Sequence, residues 1–206
     1  MAAEKGISAL VEKPMAASSQ DCKAMIKAAE ENNVKLMIGH IQRYFSSNRK
    51  AREIIRSGQL GRLVSITDTR NVYYFHDKRP GWFLDKEMSG GGIFINLGAH
   101  CLDKIKFVTD SKIKSIAGKA SYYEERFNVG THYFFTGGAV KVGSEGFLVS
   151  REDGPFERIE LESDEDAFYL QLKDFTDSIK EDKEPEIPGE YGLEIIEAIE
   201  EVYRGI

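Results

Sequence analysis

The sequence predicts an α/β fold: a short strand–helix–strand unit, then an open, mostly antiparallel sheet with helices packed on one face. Three observations predict it. Two short apolar runs, Ile7–Val11 and Val34–Gly39, flank one amphipathic helical segment with short connections, the pattern of a right-handed parallel crossover. From Arg62 onward, alternating segments are separated by glycines and an Asp-Gly pair, the pattern of antiparallel strands. Two segments of helical period close the chain.

Taken in order, Met1–Lys5 reads as the end of a helix stopped by Gly6. Ile7–Val11 is a buried strand followed directly by Glu12-Lys13-Pro14, where proline holds Lys13 extended and the Lys13–Pro14 bond is a candidate for the cis form. Ser18-Ser19-Gln20-Asp21 caps a helix whose inner face carries Met25, Ile26, Ala28 and Ala29 and which ends near Asn32-Asn33. Val34–Gly39 is the second strand, and it delivers His40. Ligands of such sheets gather at the carboxyl ends of the strands, which is where Lys13 and His40 fall. Ser46-Ser47-Asn48 is expected to cap a helix over Arg49–Arg56, ended by Gly58 and Gly61. Arg62–Phe75 alternates as a long strand, with Leu63, Ser65 and Thr67 on one side and Val64, Ile66 and Asp68 on the other. Tyr73 to Phe83 is an aromatic connection too long for a hairpin, and such connections are often binding loops. Further strands are expected over Lys112–Tyr122, Arg126–Phe135, Ala139–Val142, Glu145–Val149 and Phe156–Leu161, and helices over Phe168–Ile179 and Gly189–Tyr203.

The stretch from Ser89 to Asp103 carries the chemistry. A triple glycine, Gly90-Gly91-Gly92, opens a helical pattern that is apolar on most sides, as in a buried helix. One stripe of that helix holds Asn96, His100 and Asp103. Buried polar groups of this kind are hydrogen-bonded or serve chemistry, and free amides at the helix start attract electron-rich groups.

Composition removes several classes of function. The net charge of -6 comes without a basic stripe, so nucleic acid is not an expected partner. Cys22 and Cys101 form neither a disulfide framework nor a Cys-x-x-Cys metal spacing, which suits a reducing cytoplasm. Neither a membrane-length apolar run nor a signal peptide is apparent, so a membrane association is not expected. A metal-dependent hydrolase using His76, His100, His132 and Asp103 is a rival whose spacing matches no familiar ligand pattern, and no metal is expected.

Five motifs occur in order: Val11-Glu12-Lys13-Pro14; Gly39-His40 with Arg43; Gly58-Gln59-Leu60-Gly61; Ser89 to Gly92 with His100 and Asp103; and Pro188-Gly189-Glu190-Tyr191-Gly192. In these the chain resembles the glucose-fructose oxidoreductase, inositol dehydrogenase and rhizopine-catabolism family, Gfo/Idh/MocA. The resemblance implies that residues 1–39 are the tail of a Rossmann domain for NAD or NADP. It implies that residues 40–206 form a substrate-binding α/β domain whose open sheet makes a homodimer or homotetramer. The sequence has no Gly-x-Gly-x-x-Gly, and the expected explanation is a truncated chain that is inactive alone; the run from Arg126 to Glu145 is also short beside the family's usual sheet.

The same resemblance implies a hydride transfer between the nicotinamide and a hydroxyl or carbonyl of a sugar, sugar derivative or cyclitol. Glu12, Lys13 and Pro14 would hold the cofactor, Lys13 and His100 would be catalytic, and Asn96, Arg43, Tyr74 and Trp82 would bind substrate. Many members carry aspartate where this chain has Asn96, and an amide neither takes a proton nor raises the basicity of His100 through charge. The alternative is a non-catalytic binding or oligomerisation module with a vestigial site.

Overall fold

The computed structural model describes residues 2–70, 80–90, 92, 94–118, 129–152, 154–161 and 166–205. It opens with the crossover unit. Strand β1 (Ala9–Glu12) and strand β2 (Leu36–Gly39) pair in parallel through helix α1 (Ser19–Glu31), with Glu12 opposite Gly39. Ser18 caps α1 by accepting from the Asp21 amide, Asn32 ends it, and Gly6 stops a short 3₁₀ turn over Ala3–Lys5 in the left-handed conformation. The Lys13–Pro14 bond is cis. On its other edge β2 is covered by the chain around Ile187, whose carbonyl accepts from the Ile38 amide at 2.9 Å.

Helix α2 (Ser46–Ser57) leads to a five-stranded antiparallel sheet in the order β3 (Leu63–Arg70), β4 (Val129–Phe135), β5 (Gly138–Gly143), β6 (Gly146–Arg151) and β7 (Glu157–Arg158). Between β3 and β4 lie a helical turn α3 (Lys86–Ser89) and helix α4 (Ala99–Thr109), and the chain closes with α5 (Ala167–Lys180) and α6 (Gly189–Arg204).

Two apolar cores hold these elements. One face of the sheet, with Tyr133, Phe135, Val140, Phe147 and Val149, is buried against Ala51 and Ile54 of α2 and Phe107 and Val108 of α4. The other core joins Met37 and Ile38 of β2 to Cys22 of α1, Ala99 of α4 and Ile195, Ile196 and Ile199 of α6. It therefore draws on both sides of residue 39. Close approach of α6 to β2 depends on Gly192, where a Cβ would come within 2.8 Å of the Ile38 side chain. The second face of the sheet leaves Phe134 exposed.

Several expectations are corrected. Helix α2 starts at Ser46, with Phe45 at the cap position, because the Asn48 side chain donates to the Gln42 carbonyl at 2.6 Å instead of capping. A bulge between Leu63 and Ser65 breaks the simple alternation of β3, so Leu63 and Ile66 both pack on the core and Val64 is exposed. Residues 111–118 belong to no strand, although Lys112–Ile116 alternates. Alternation marks faces and does not supply a partner strand, and here Gly118 lies against Val202 of α6. The strand expected over Phe156–Leu161 shrinks to the two residues of β7. The remainder of the aromatic connection before Pro80 lies outside the described residues.

Candidate active site

The parallel register brings the carboxyl ends of β1 and β2 side by side, so Lys13 and His40 leave the sheet as neighbours. The third component comes from the glycine-led stretch. The expected uninterrupted helix from Gly92 is replaced by a π-helical turn over Phe94–Gly98 that runs into α4. Gly98 permits this turn, since a Cβ there would fall 2.5 Å from the Phe94 ring. Ile95 and Ala99 anchor it in the core, and Phe94 meets Tyr203 edge to face. Turns of this kind often occur at functional sites because one extra residue redirects the side chains.

The turn aims Asn96 at Lys13. The Lys13 Nζ donates to Asn96 Oδ1 at 2.7 Å and to the Asn96 carbonyl at 3.1 Å. Burial, with Arg70 nearby, lowers the Lys13 pKa despite the pull of Glu12. Glu12 itself is exposed, and its carboxylate accepts from the Lys13 amide at 3.2 Å. His100 is half-buried, and its Nδ1 is enclosed with no hydrogen-bond partner. Burial, then Lys13, Arg70 and Lys104, push its pKa down to about 3, so the imidazole is neutral near pH 7. The group thus joins an amine donor, an amide and a neutral imidazole.

Asp103 is not the partner of His100. It is fully buried, accepts from Arg43 Nε at 3.2 Å, and lies 3.8 Å from His40 Nδ1. Arg43 also donates to the Glu186 carbonyl at 3.1 Å and stacks 3.9 Å over the Tyr191 ring. This corrects the expectation for Arg43: its guanidinium is enclosed in the wall behind the site and offers no face to a substrate. Trp82 sits in a 3₁₀ turn, 47% exposed, with its ring 4.1 Å from Phe83. Among the described residues no hydrogen bond or ring contact ties it to Lys13, Asn96 or His100. Tyr74 and His76 lie outside the described residues. Among the described residues no three His, Cys, Asp or Glu side chains stand close enough to share a metal, and no helix is long and apolar enough to cross a membrane.

Sequence reasoning passed over a second polar cluster beside His100. Lys104 donates to Asp68 at 2.6 Å and also to Thr131, whose hydroxyl donates to the same Asp68 oxygen at 2.7 Å. Arg70 follows on the same side of β3. The signal was present: once Ile66 faces the core, Asp68 and Arg70 share its side by strand period.

Two consequences are measurable. Asn96→Asp would put a carboxylate on Lys13 and offset the cationic field on His100. The His100 titration followed by NMR is expected to move up by about one pH unit, and an unchanged titration would uncouple positions 96 and 100. The second concerns His40, which is buried and held down to about 3 by burial and the surrounding cations. The unfolded chain protonates this histidine below its ordinary value near 6.5 while the folded chain does not, so stability is lost as pH falls, by about 1.4 kcal/mol per pH unit. Asp103, raised by burial to about 6, acts in the opposite sense between about pH 6 and 4, because the folded chain takes its proton first. Unfolding midpoints measured from pH 7 to 4 should therefore fall more steeply in the natural protein than in His40→Asn, and parallel curves would mean that His40 is not buried as a neutral ring.

Comparison with known proteins places this geometry in a family. Residues 1–40 match the model of an oxidoreductase family with an NAD-binding Rossmann fold, and residues 48–145 match the GFO/IDH/MocA C-terminal domain. An uncharacterized oxidoreductase of Streptococcus pneumoniae is 32% identical over 129 residues, covering 61% of this chain and 35% of the relative. The 2,7-anhydro-N-acetylneuraminate hydratase of Mediterraneibacter gnavus is 30% identical over 129 residues, covering 61% and 34%. The matches thus span about a third of the length of these relatives. Among solved structures, the aldose-aldose oxidoreductase of Caulobacter crescentus, complexed with glycerol, superposes with a TM-score of 0.85 at 24% identity, over 99% of this chain and 71% of that one. With both parts of the family pattern present in order over well over half of its residues, the chain belongs to the Gfo/Idh/MocA family of NAD-binding oxidoreductases.

Proposed function

We propose that the protein, in its full-length form, is an NAD(P)-dependent dehydrogenase or reductase acting on a hydroxyl or carbonyl of a sugar, sugar derivative or cyclitol. The observation that carries this reading is the bond from Lys13 Nζ to Asn96 Oδ1, which ties the carboxyl end of β1 to the turn leading into α4, where His100 has an unpartnered Nδ1. The residues present suit the nicotinamide end of the cofactor: Glu12, Lys13 and Pro14 stand where a parallel sheet presents its ligands. The bound nicotinamide would supply the hydride acceptor or donor. His100, neutral near pH 7, would take the hydroxyl proton at a ring nitrogen in the oxidative direction. Lys13 would stabilise the negative charge that grows on that oxygen, in a half-buried site where a cation acts strongly. Asn96, held through its Oδ1, is left with its amide N–H groups to orient a neighbouring hydroxyl.

In this reading residues 1–39 serve the nucleotide side and residues 40–206 the substrate side. The open sheet face with Phe134 is the surface on which a second copy would dock in a homodimer or homotetramer. Free Cys22 and Cys101 suit a cytoplasmic setting. The sugar class is supported by the relative named for anhydro-neuraminate chemistry.

A second reading, a binding or oligomerisation module with a vestigial site, draws on Asn96 standing where many members have a carboxylate. Mixing the full-length protein with NAD or NADP and a panel of aldoses, anhydro-sugars and cyclitols separates the two. Nicotinamide reduction by any of them supports the enzyme, whereas saturable binding without reduction across the panel supports the module.

A further inference from the structure

The polar cluster beside His100 has no part in the proton and hydride steps, and among the described residues its charges do not balance. Lys104 and Asp68 are each about 95% buried in their side chains, and Lys104 bonds Asp68 Oδ1 together with Thr131. The other oxygen, Asp68 Oδ2, is enclosed 3.5 Å from Arg70 Nε, neither atom having a close hydrogen-bond partner, and the Cys101 thiol stands beside the same carboxylate. Arg70 Nη2 donates to Gln42 Oε1 at 3.2 Å, a neutral partner. Two cations therefore share one carboxylate. Arg70 and Lys104 line a cleft of about 550 Å³ that continues to Gln42, Thr131 and Ser144. Lys104 stands one turn beyond His100 on α4, which sets this cleft beside the helix that carries the candidate site, and burial, then Lys13 and these two cations, keep the His100 ring neutral. Another cleft, of about 310 Å³, opens at the far end of β2 beside Lys35 and carries no such cluster.

We propose that this cleft receives a carboxylate on the substrate, with Arg70 as its partner, so that the protein acts on an acidic sugar or polyhydroxy acid rather than a neutral one. The inference rests on the dehydrogenase reading for the hydroxyl near His100 and adds the substrate class. A carboxylate is the group whose paired oxygens match the donor fork of a guanidinium, and it would supply a second anion to the two cations that share Asp68. Asp68 Oδ2 would accept from a hydroxyl on the same molecule, which removes its unmet acceptor.

The test is a calorimetric titration of the full-length protein, without nicotinamide, using D-glucuronate, D-glucose and ADP as probes. Glucuronate is expected to bind about tenfold tighter than glucose, the scale of one charge-assisted hydrogen bond. That advantage should disappear in Arg70→Gln, persist in part in Arg70→Lys, and shrink with added salt in the natural protein. Equal affinities for the two sugars, or binding of neither, would overturn the assignment. So would a parallel loss of ADP binding in Arg70→Gln, because the cation would then serve the phosphates of the cofactor. The titration involves no hydride transfer, so its result stands apart from that of the turnover assay.

Discussion

His100→Ala is expected to lower kcat by about 100-fold to 10,000-fold while leaving the Kd for NAD or NADP nearly unchanged, the range for removal of a positioned acid or base. The expectation comes from where the ring sits. Its Nδ1 is enclosed without a partner, and burial with three nearby cations keeps it unprotonated near neutrality. A ring that bonded Asp103 would be structural, but Asp103 is committed to Arg43. Loss of cofactor affinity in proportion to loss of rate would mean that His100 holds the cofactor and does not move a proton. Steady-state kinetics and a cofactor titration on one variant distinguish these outcomes.

The largest expected effect on stability is at Asp103. Removing its carboxylate in Asp103→Ala leaves the Arg43 guanidinium, 7% exposed, in the interior without its anion. Breaking a buried pair from one side costs about 3–5 kcal/mol. Arg43 also spans Tyr191 of α6 and the Glu186 carbonyl, so the loss would loosen α6 from the wall behind the site. Urea unfolding measures this directly. A change of less than about 1 kcal/mol would place the pair among those that contribute little.

Much of the fold was legible because apolar periodicity is read locally. The strands at Ala9–Glu12 and Leu36–Gly39, the Ser18 cap, and helices α5 and α6 follow from runs of a few residues. The family resemblance implies that Lys13 and Asn96 share a site, and the structure bonds them. What failed depended on contacts distant in sequence. The π-helical turn arises because the Phe94 ring occupies the place a Cβ on residue 98 would take, and helical spacing cannot register that. For the same reason helical spacing groups Asp103 only with Asn96 and His100 on one stripe, while its partner, Arg43, is 60 residues away. Arg43 looked like a pocket residue because a cation after a strand end suggests a ligand, yet Asp103 and Tyr191 enclose it. The Asp68–Lys104–Thr131 cluster needed strand register as well, since only the pairing of β3 with β4 sets Asp68 opposite Thr131.

The proposal that Lys13 and His100 serve hydride transfer from a sugar hydroxyl is tested most directly by isotope transfer. A substrate found in the turnover panel would be prepared with deuterium on the carbinol carbon, and the reduced nicotinamide analysed by mass spectrometry. Deuterium on the nicotinamide ring in the natural protein, formed about 100-fold to 10,000-fold more slowly by His100→Ala, is the predicted result. Reduced nicotinamide without deuterium, or undiminished transfer in His100→Ala, would contradict the account.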